Sequence, residues 1–533
     1  MAKFTQAESN GLFELTNEAR TELASSKYYN EDLAPTTVAQ RTWTTYNITM
    51  LWVGMSICVP SLTLATSLVQ LGVNPWLAVL NVALGNLIIL IPIQLNSQIG
   101  CKYGIPFPGF ARLTFGNIGA QIPALSRAIV ACGWTSVQCW VGGGAVAALI
   151  GCFASGFNNP NWMINLPTWT GMVQASCPTF IGYIIFLIFI AWVAYNGMEN
   201  IKWVQNIGGP VLIVLMIALC IWSVRLAGEA GSSVGAVMNT KSSISGGEFA
   251  VTYMVGLMGN IAFWATMALN IPDFSRYARS QKDQFAGQLI GMPIPMAFCA
   301  FVGALYAQSA IVFNEAKGLA EGDVGYYSPY DVVSVLYNIP SKIVVVIVSL
   351  GVVMATVTTC AAANIVAPAN GFSNLSPKKI SYKKGVIITI LLAFFVLQAW
   401  WIYGGAVNFF GWLNVYGTIL APLAAIFIAD YFFVKQRRID VAGLFADEGG
   451  RYWYSGGFNV AAMIAWVASF ILPVIAVVGG ANLTGGFWTF MNCTGYVTAF
   501  VIGFVVYVIL MKTSLAKGSF VTEEEHEAFT QRG

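Results

Sequence analysis

The chain has 533 residues, 57% of them hydrophobic and 9% charged, with a formal net charge of +3 and a single histidine. Soluble domains carry roughly 25% charged residues, so this composition excludes a soluble enzyme and describes a polytopic membrane protein whose constant partner is the lipid bilayer. The small net charge is spread over short loops, which gives no footprint for nucleic acid.

In chain order, residues 1–44 are polar and mixed in charge, with no basic stretch leading into a short apolar run. They read as a cytoplasmic N-terminal tail without a cleaved signal. Within them GLFELTNEARTELASS reads as a short amphipathic helix. Apolar segments of about 20 residues follow, each long enough to cross a bilayer. They lie near 46–71, 76–98, 119–152, 178–196, 203–224, 249–272, 285–312, 343–369, 385–403, 407–430, 458–478 and 488–511, which predicts twelve spans. The closing VTEEEHEAFTQRG reads as a solvated, mobile tail.

Basic residues orient these spans. Connections after the even-numbered spans hold 15 Lys and Arg, from Lys102 to Arg451. The alternate connections hold 4: Arg225, Lys241, Lys317 and Lys342. The bias places both termini in the cytoplasm, and for a bacterial cell the membrane is the inner one.

Irregular backbone within a bilayer is tolerated only where it faces a cavity. Gly54 and Pro60 interrupt span one, and Gly259 and Asn260 interrupt span six, five spans later. Interruptions at matching positions of two halves point to an inverted-repeat transporter with a central site. Span eight carries MATVTTCAAANIVAP, with Thr358 and Thr359 adjacent and Ala355 one turn earlier. Such threonines commonly bond back to their own helix. They also suit a hard cation, for which the carbonyls of Gly54 and Ile57 are natural further ligands.

Span three holds CGWTSVQCWVGGG at 132–144. Trp134 and Gln138 share one helix face there. With Trp264 and Asn364 they supply two indoles and two carboxamides, which suit a flat, neutral, hydrogen-bonding ring. Trp140 points to another face and reads as packing. Spans one, three and eight contain no Asp, Glu, Lys or His, which disfavours a carboxylate proton relay. The ten cysteines show no metal-ligand spacing and read as small buried hydrophobes. No cofactor is expected beyond a coupling ion. A membrane enzyme would need a nucleophile, an acid–base pair or a metal cluster, and none is apparent. A channel would need a continuous polar lining. A receptor that binds the ring without moving it stays open.

The segments GVNPW (72–76), KYGIPFPGFARLTFGNIGAQIPAL (102–125), GWTSVQCW (133–140), NIPDFSRY (270–277) and ANIVAP (363–368) carry a resemblance. The chain resembles the nucleobase–cation symporter-1 family over most of its length. The resemblance implies an all-α membrane protein of twelve helices, with five plus five in an inverted repeat, helices one and six broken, and two appended. The divisions are then 1–44 as tail, 45–225 and 226–430 as the two repeats, 431–511 as a cytoplasmic loop with helices eleven and twelve, and 512–533 as tail.

The match to hydantoin-transporting members implies roles for single residues. Trp134 and Trp264 sandwich the ring, Gln138 and Asn364 bond its edge, and Phe263 lends a backbone group. Gly54, Ile57, Ala355, Thr358 and Thr359 hold sodium. Cys58 and Cys360 stand near the site where those members have amides, which removes hydrogen-bonding capacity and leaves the identity of the ring open. The loops look closer to allantoin and uracil permeases, which favours a ureide or pyrimidine over a bulky aryl-hydantoin. Proton coupling in place of sodium stays open.

Overall fold

The computed structural model of the protein describes residues 4–7, 11–26, 28–29, 34–154, 156–159, 161–169, 171–196, 198–375, 379–446, 448–513, 519–525 and 530–532. The chain opens with β1 (Phe4–Ala7), β2 (Leu12–Leu15) and α1 (Asn17–Ala24). The helices α2 (Thr45–Ser56), α3 (Val59–Gln70), α4 (Pro75–Tyr103), α5 (Phe107–Phe115) and α6 (Gln121–Gly151) follow. A hairpin of β3 (Met163–Thr168) and β4 (Gly171–Ser176) leads to α7 (Cys177–Tyr195), α8 (Met198–Glu229) and α9 (Val234–Met238). Next come α10 (Gly246–Ala262), α11 (Ala265–Asn270), α12 (Pro272–Ser275), α13 (Gln281–Gly291) and α14 (Pro293–Lys317). The remainder is α15 (Lys342–Thr359), α16 (Val366–Leu375), α17 (Tyr382–Leu391), α18 (Ala399–Ile402), α19 (Ala406–Ile428), α20 (Val460–Gly479), α21 (Gly486–Met511) and β5 (Thr530–Arg532).

Every expected span falls on a helix or a run of helices. Among the described residues, nine helices are long and apolar enough to cross a membrane, and α2 with α3 makes a tenth as a bent pair. The expected spans at 119–152 and 385–403 are helical but fall outside that set. The second is divided between α17, a π-helical turn at Leu392–Val396 and α18. Large side chains such as Ile188, Val214, Ile347 and Val478 face outwards, as a lipid environment requires.

Local sequence explains the element ends. Asn74 caps α4, its Oδ1 accepting the Leu77 N–H at 3.0 Å, and Pro75 starts the helix where a missing N–H costs nothing. Three of the four glycines of CGWTSVQCWVGGG, Gly142 to Gly144, follow one another and are contact points. A Cβ on Gly142 would strike the Phe186 ring, and one on Gly143 would strike the Gly182–Tyr183 backbone. They bring α6 against α7 at backbone distance, the familiar use of small residues in membranes. Trp140 packs on Tyr183 at 5.7 Å, as its position implied.

The two helix breaks differ. Span one bends by 53° between α2 and α3. Ile57 and Cys58 leave the helical region, and the Cys58 N–H donates to Ser56 O at 3.1 Å in place of the Gly54 carbonyl. Pro60 sits in the first turn of α3, where it starts a helix. Span six is interrupted at Phe263–Trp264, not at Gly259 and Asn260. Both of those residues lie inside α10. Gly259 makes room for the Phe410 ring, and Asn260 Nδ2 donates to Asn81 Oδ1 at 2.7 Å, so each serves packing. Span eight changes to a π-helical turn over Cys360–Ile365, a local widening frequent at functional sites.

The terminal regions are more ordered than the sequence implied. The expected amphipathic helix is in fact β2 followed by α1, with Thr16 accepting the Ala19 N–H as cap. The C-terminal segment is docked where described: β5 pairs parallel with β1, and Arg451 donates to Glu525 at 2.8 Å. His526 lies outside the described residues. Arg41 fixes the N-terminal segment beneath the bundle. Its guanidinium donates to the carbonyls of Phe13, Thr36, Cys101 and Lys102, and burial lowers it to about 10.

Candidate functional site

The residues singled out in the sequence fall into three adjacent groups. The first lines a cavity of about 160 Å³. Cys58 enters it from the break in span one, Gln138 from α6 and Ala355 from α15. Apart from Thr356 its other walls are largely apolar, with Leu212, Met216 and Leu219 of α8, and Val332, Val335 and Leu336 of the segment before α15 as a roof. The Cys58 thiol lies 3.2 Å from Ser61 Oγ, and Gln138 lines the same cavity. A carboxamide in a largely apolar space is the arrangement by which binding sites orient a ligand.

The second group is aromatic. Phe263 touches Trp134 at 4.8 Å between ring centroids and Trp264 at 5.1 Å, near-perpendicular to both. Trp134 also packs on Trp412 at 5.1 Å, an approach that Gly133 permits because a Cβ there would strike the Trp412 ring. The Trp264 indole N–H donates to Asn86 Oδ1 at 2.9 Å, and Trp52 packs on its ring at 5.2 Å. Trp134 and Gln138 sit one turn apart on α6, so this group adjoins the cavity.

The third group is on span eight. Thr358 Oγ1 donates to Ala355 O at 2.6 Å, and Thr359 Oγ1 donates to the same carbonyl at 3.2 Å. These are the back-bonds such residues commonly make, and they gather three oxygens at one point. Asn364 lies in the π-helical turn, where its carbonyl accepts Thr135 Oγ1 at 2.7 Å and ties span eight to α6. Ile57 and Ala355 are buried in one hydrophobic cluster, while Gly54 has open space where a Cβ would project. Cys360 is fully buried among the residues of α7, against Cys139, and is not on the cavity wall.

Sequence reasoning missed Asn86, Trp52 and Trp412. Asn86 could have been found, since Asn81 and Asn86 are amides in the apolar first half of span two. Trp412 and Trp52 carry no signal that separates them from other packing tryptophans. It also missed a buried ion pair at the end of α19. Lys435 Nζ lies 2.5 Å from Asp430 Oδ1 with both side chains fully buried, and Thr114, Tyr454 and Tyr507 complete the bonding. Arg127, in the first turns of α6, reaches Asn270 at the end of α11, its Nη2 donating to the Asn270 side-chain oxygen at 2.9 Å.

Residues 35–503 match the family model described as permease for cytosine/purines, uracil, thiamine, allantoin. The chain belongs to this permease family. Two relatives agree. The purine-uracil permease of Arabidopsis thaliana is 33% identical over 92% of this chain and 79% of its own. The allantoin permease of Bacillus subtilis is 30% identical over 95% of this chain and 98% of its own. Among solved structures, a nucleobase-cation-symport-1 family transporter, in a closed conformation with bromovinylhydantoin bound, has a TM-score of 0.70. It is 21% identical, over 94% of this chain and 99% of that one, so it speaks for the fold. The permease is thus a multi-pass membrane transporter and not an enzyme.

Proposed function

We propose that this permease imports a small, neutral, nucleobase-related ring of the allantoin, uracil or hydantoin type together with sodium. The observation that carries the reading is that Cys58, Gln138 and Ala355 line one cavity. The break in span one, the amide suited to a ring edge and the residue whose carbonyl Thr358 and Thr359 share border a single space. The indoles of Trp134 and Trp264 would stack on the ring, with Gln138 and Asn364 at its edge. Sodium would take the carbonyls of Gly54, Ile57 and Ala355 and the hydroxyls of Thr358 and Thr359.

Coupling follows if both ligands favour the same state, because linkage is reciprocal. Rocking of one helix bundle against the other would then expose the site to each side in turn. Twelve spans in a five-plus-five inverted repeat, a cell-membrane location and cytoplasmic termini complete the reading, supported by the 15-to-4 bias of basic residues.

The test is uptake of labelled allantoin, uracil and hydantoin into proteoliposomes, with and without an inward sodium gradient. Accumulation that needs the gradient supports symport and identifies the ring. Accumulation driven by a proton gradient alone rejects the sodium site. Absence of uptake and of binding for all three rejects the substrate class.

A further inference from the structure

Phe263 occupies an unusual position for a packing residue. It lies at the interruption of span six, where α10 ends and Trp264 begins the next segment. Its phenyl ring meets Trp134 at 4.8 Å and 76°, and Trp264 at 5.1 Å and 83°. One ring therefore bridges the two indoles between which the substrate would stack. All three side chains are buried, at 5% exposure for Phe263, 6% for Trp134 and 7% for Trp264. The surroundings leave the phenyl little retreat. Trp134 is backed by Phe409 and Trp412, and Trp264 is held by Asn86 and Trp52.

We propose that the Phe263 side chain is a size filter, which restricts the substrate to a single ring bearing at most a short chain. The proposal rests on the substrate reading above and narrows it. A bare six-membered or five-membered ring needs only its own thickness between two indole faces. A substrate carrying a second, aromatic ring needs a further volume beside that slot, and the phenyl of Phe263 already fills space in contact with both indoles. Cores are close-packed, so a second aryl group could not enter without displacing it. The edge-on contacts favour the phenyl where it is, since near-perpendicular aromatic pairs are attractive. Phe263 and the two indoles are not among the residues that line the apolar cavity beside Cys58 and Gln138. Truncation at residue 263 should admit an aryl substituent while the amides that read the ring edge stay in place.

The experiment is ligand binding to the purified full chain, followed by quenching of tryptophan fluorescence. It compares uracil and hydantoin with their 5-benzyl derivatives for the wild type, Phe263→Ala, Phe263→Leu and Phe263→Tyr. The wild type is expected to bind one small ring at least tenfold more tightly than its benzyl derivative. Phe263→Ala should lower that ratio by tenfold or more, Phe263→Leu should lower it partly, and Phe263→Tyr should keep it. If Phe263→Ala does not fold, the Leu and Tyr ratios decide in the same way. An unchanged ratio in the truncated variants, with the small ring still bound, overturns the filter and leaves the substrate reading standing. A wild type that binds the benzyl derivatives as tightly as the bare rings also overturns it. Absence of binding for every ring rejects the substrate reading itself, and the filter with it.

Discussion

The indole N–H of Trp264 donates to the side-chain oxygen of Asn86 at 2.9 Å, in a place where Asn86 is wholly buried. Asn86 turns its own amide N–H back to Val82 O at 2.8 Å, so its oxygen is fixed towards the indole. Asn86→Ala would strand a buried donor, at a cost of about 1–3 kcal/mol. The expected outcome is substrate affinity reduced roughly tenfold, by 1.4 kcal/mol per decade, with partial recovery in Asn86→Gln. Fluorescence binding measures it, and wild-type affinity in Asn86→Ala would dismiss the positioning role.

Thr358 and Thr359 converge on the Ala355 carbonyl. Removing one hydroxyl from a cation site leaves the remaining oxygens to carry the charge. The Thr358→Ala and Thr359→Ala double variant is expected to raise the sodium concentration for half-maximal uptake by about tenfold or more, at roughly 1.4 kcal/mol per decade. Thr359→Ser should stay near wild type. Sodium titration of uptake is the measurement. An unaltered sodium response in the double variant would mean that these hydroxyls serve only their own helix.

The Asp430–Lys435 pair joins α19 to α5 and α21 through Thr114, Leu113 and Tyr507. Deleting one partner of a buried pair strands the other charge and costs about 3–5 kcal/mol. Lys435→Met should therefore lower the melting temperature in detergent by several degrees. The double replacement Asp430→Asn, Lys435→Met should restore part of the loss, because no charge is left unpaired. A double variant less stable than Lys435→Met would contradict this account.

Asp331 governs the roof of the cavity. It caps the Val332–Asn338 turn, its Oδ1 accepting the Val333 N–H at 3.0 Å. Burial pushes its carboxyl up to about 6, and the rings of Tyr306, Tyr330 and Tyr403 surround it. A carboxyl raised above its ordinary value favours the neutral form in the native state. Its contribution is full below the ordinary carboxylate range and is lost as pH rises through about 6. The roof should therefore loosen progressively as pH rises from the ordinary carboxylate range to about 6, and change little above that. Hydrogen exchange of residues 332–338, corrected for intrinsic rates, should show the step, and Asp331→Asn should remove it. A step that persists in Asp331→Asn belongs to another group.

The sequence alone determined the medium and the elements. Runs of apolar residues, basic loops and capping residues act locally, so spans such as 75–103 and 486–511 were legible to within a few residues. Gln138, Asn364, Thr358 and Thr359 were legible as polar side chains in an apolar setting, while Phe263 and Ala355 were given their roles only through the family resemblance. Where a helix breaks was not, because Gly and Pro permit an interruption without placing it. Gly259 went to packing against Phe410, and the interruption fell at Phe263. Only tertiary structure decided which polar residues face one another. It set Cys58 and Gln138 on one cavity, turned Cys360 towards Cys139 instead, gave Trp264 its partner Asn86, and laid the Phe263 ring across both indoles. Apart from the neighbours Phe263 and Trp264, those relationships join residues tens to hundreds of positions apart, and they arise from close packing of helix faces, which no local pattern encodes.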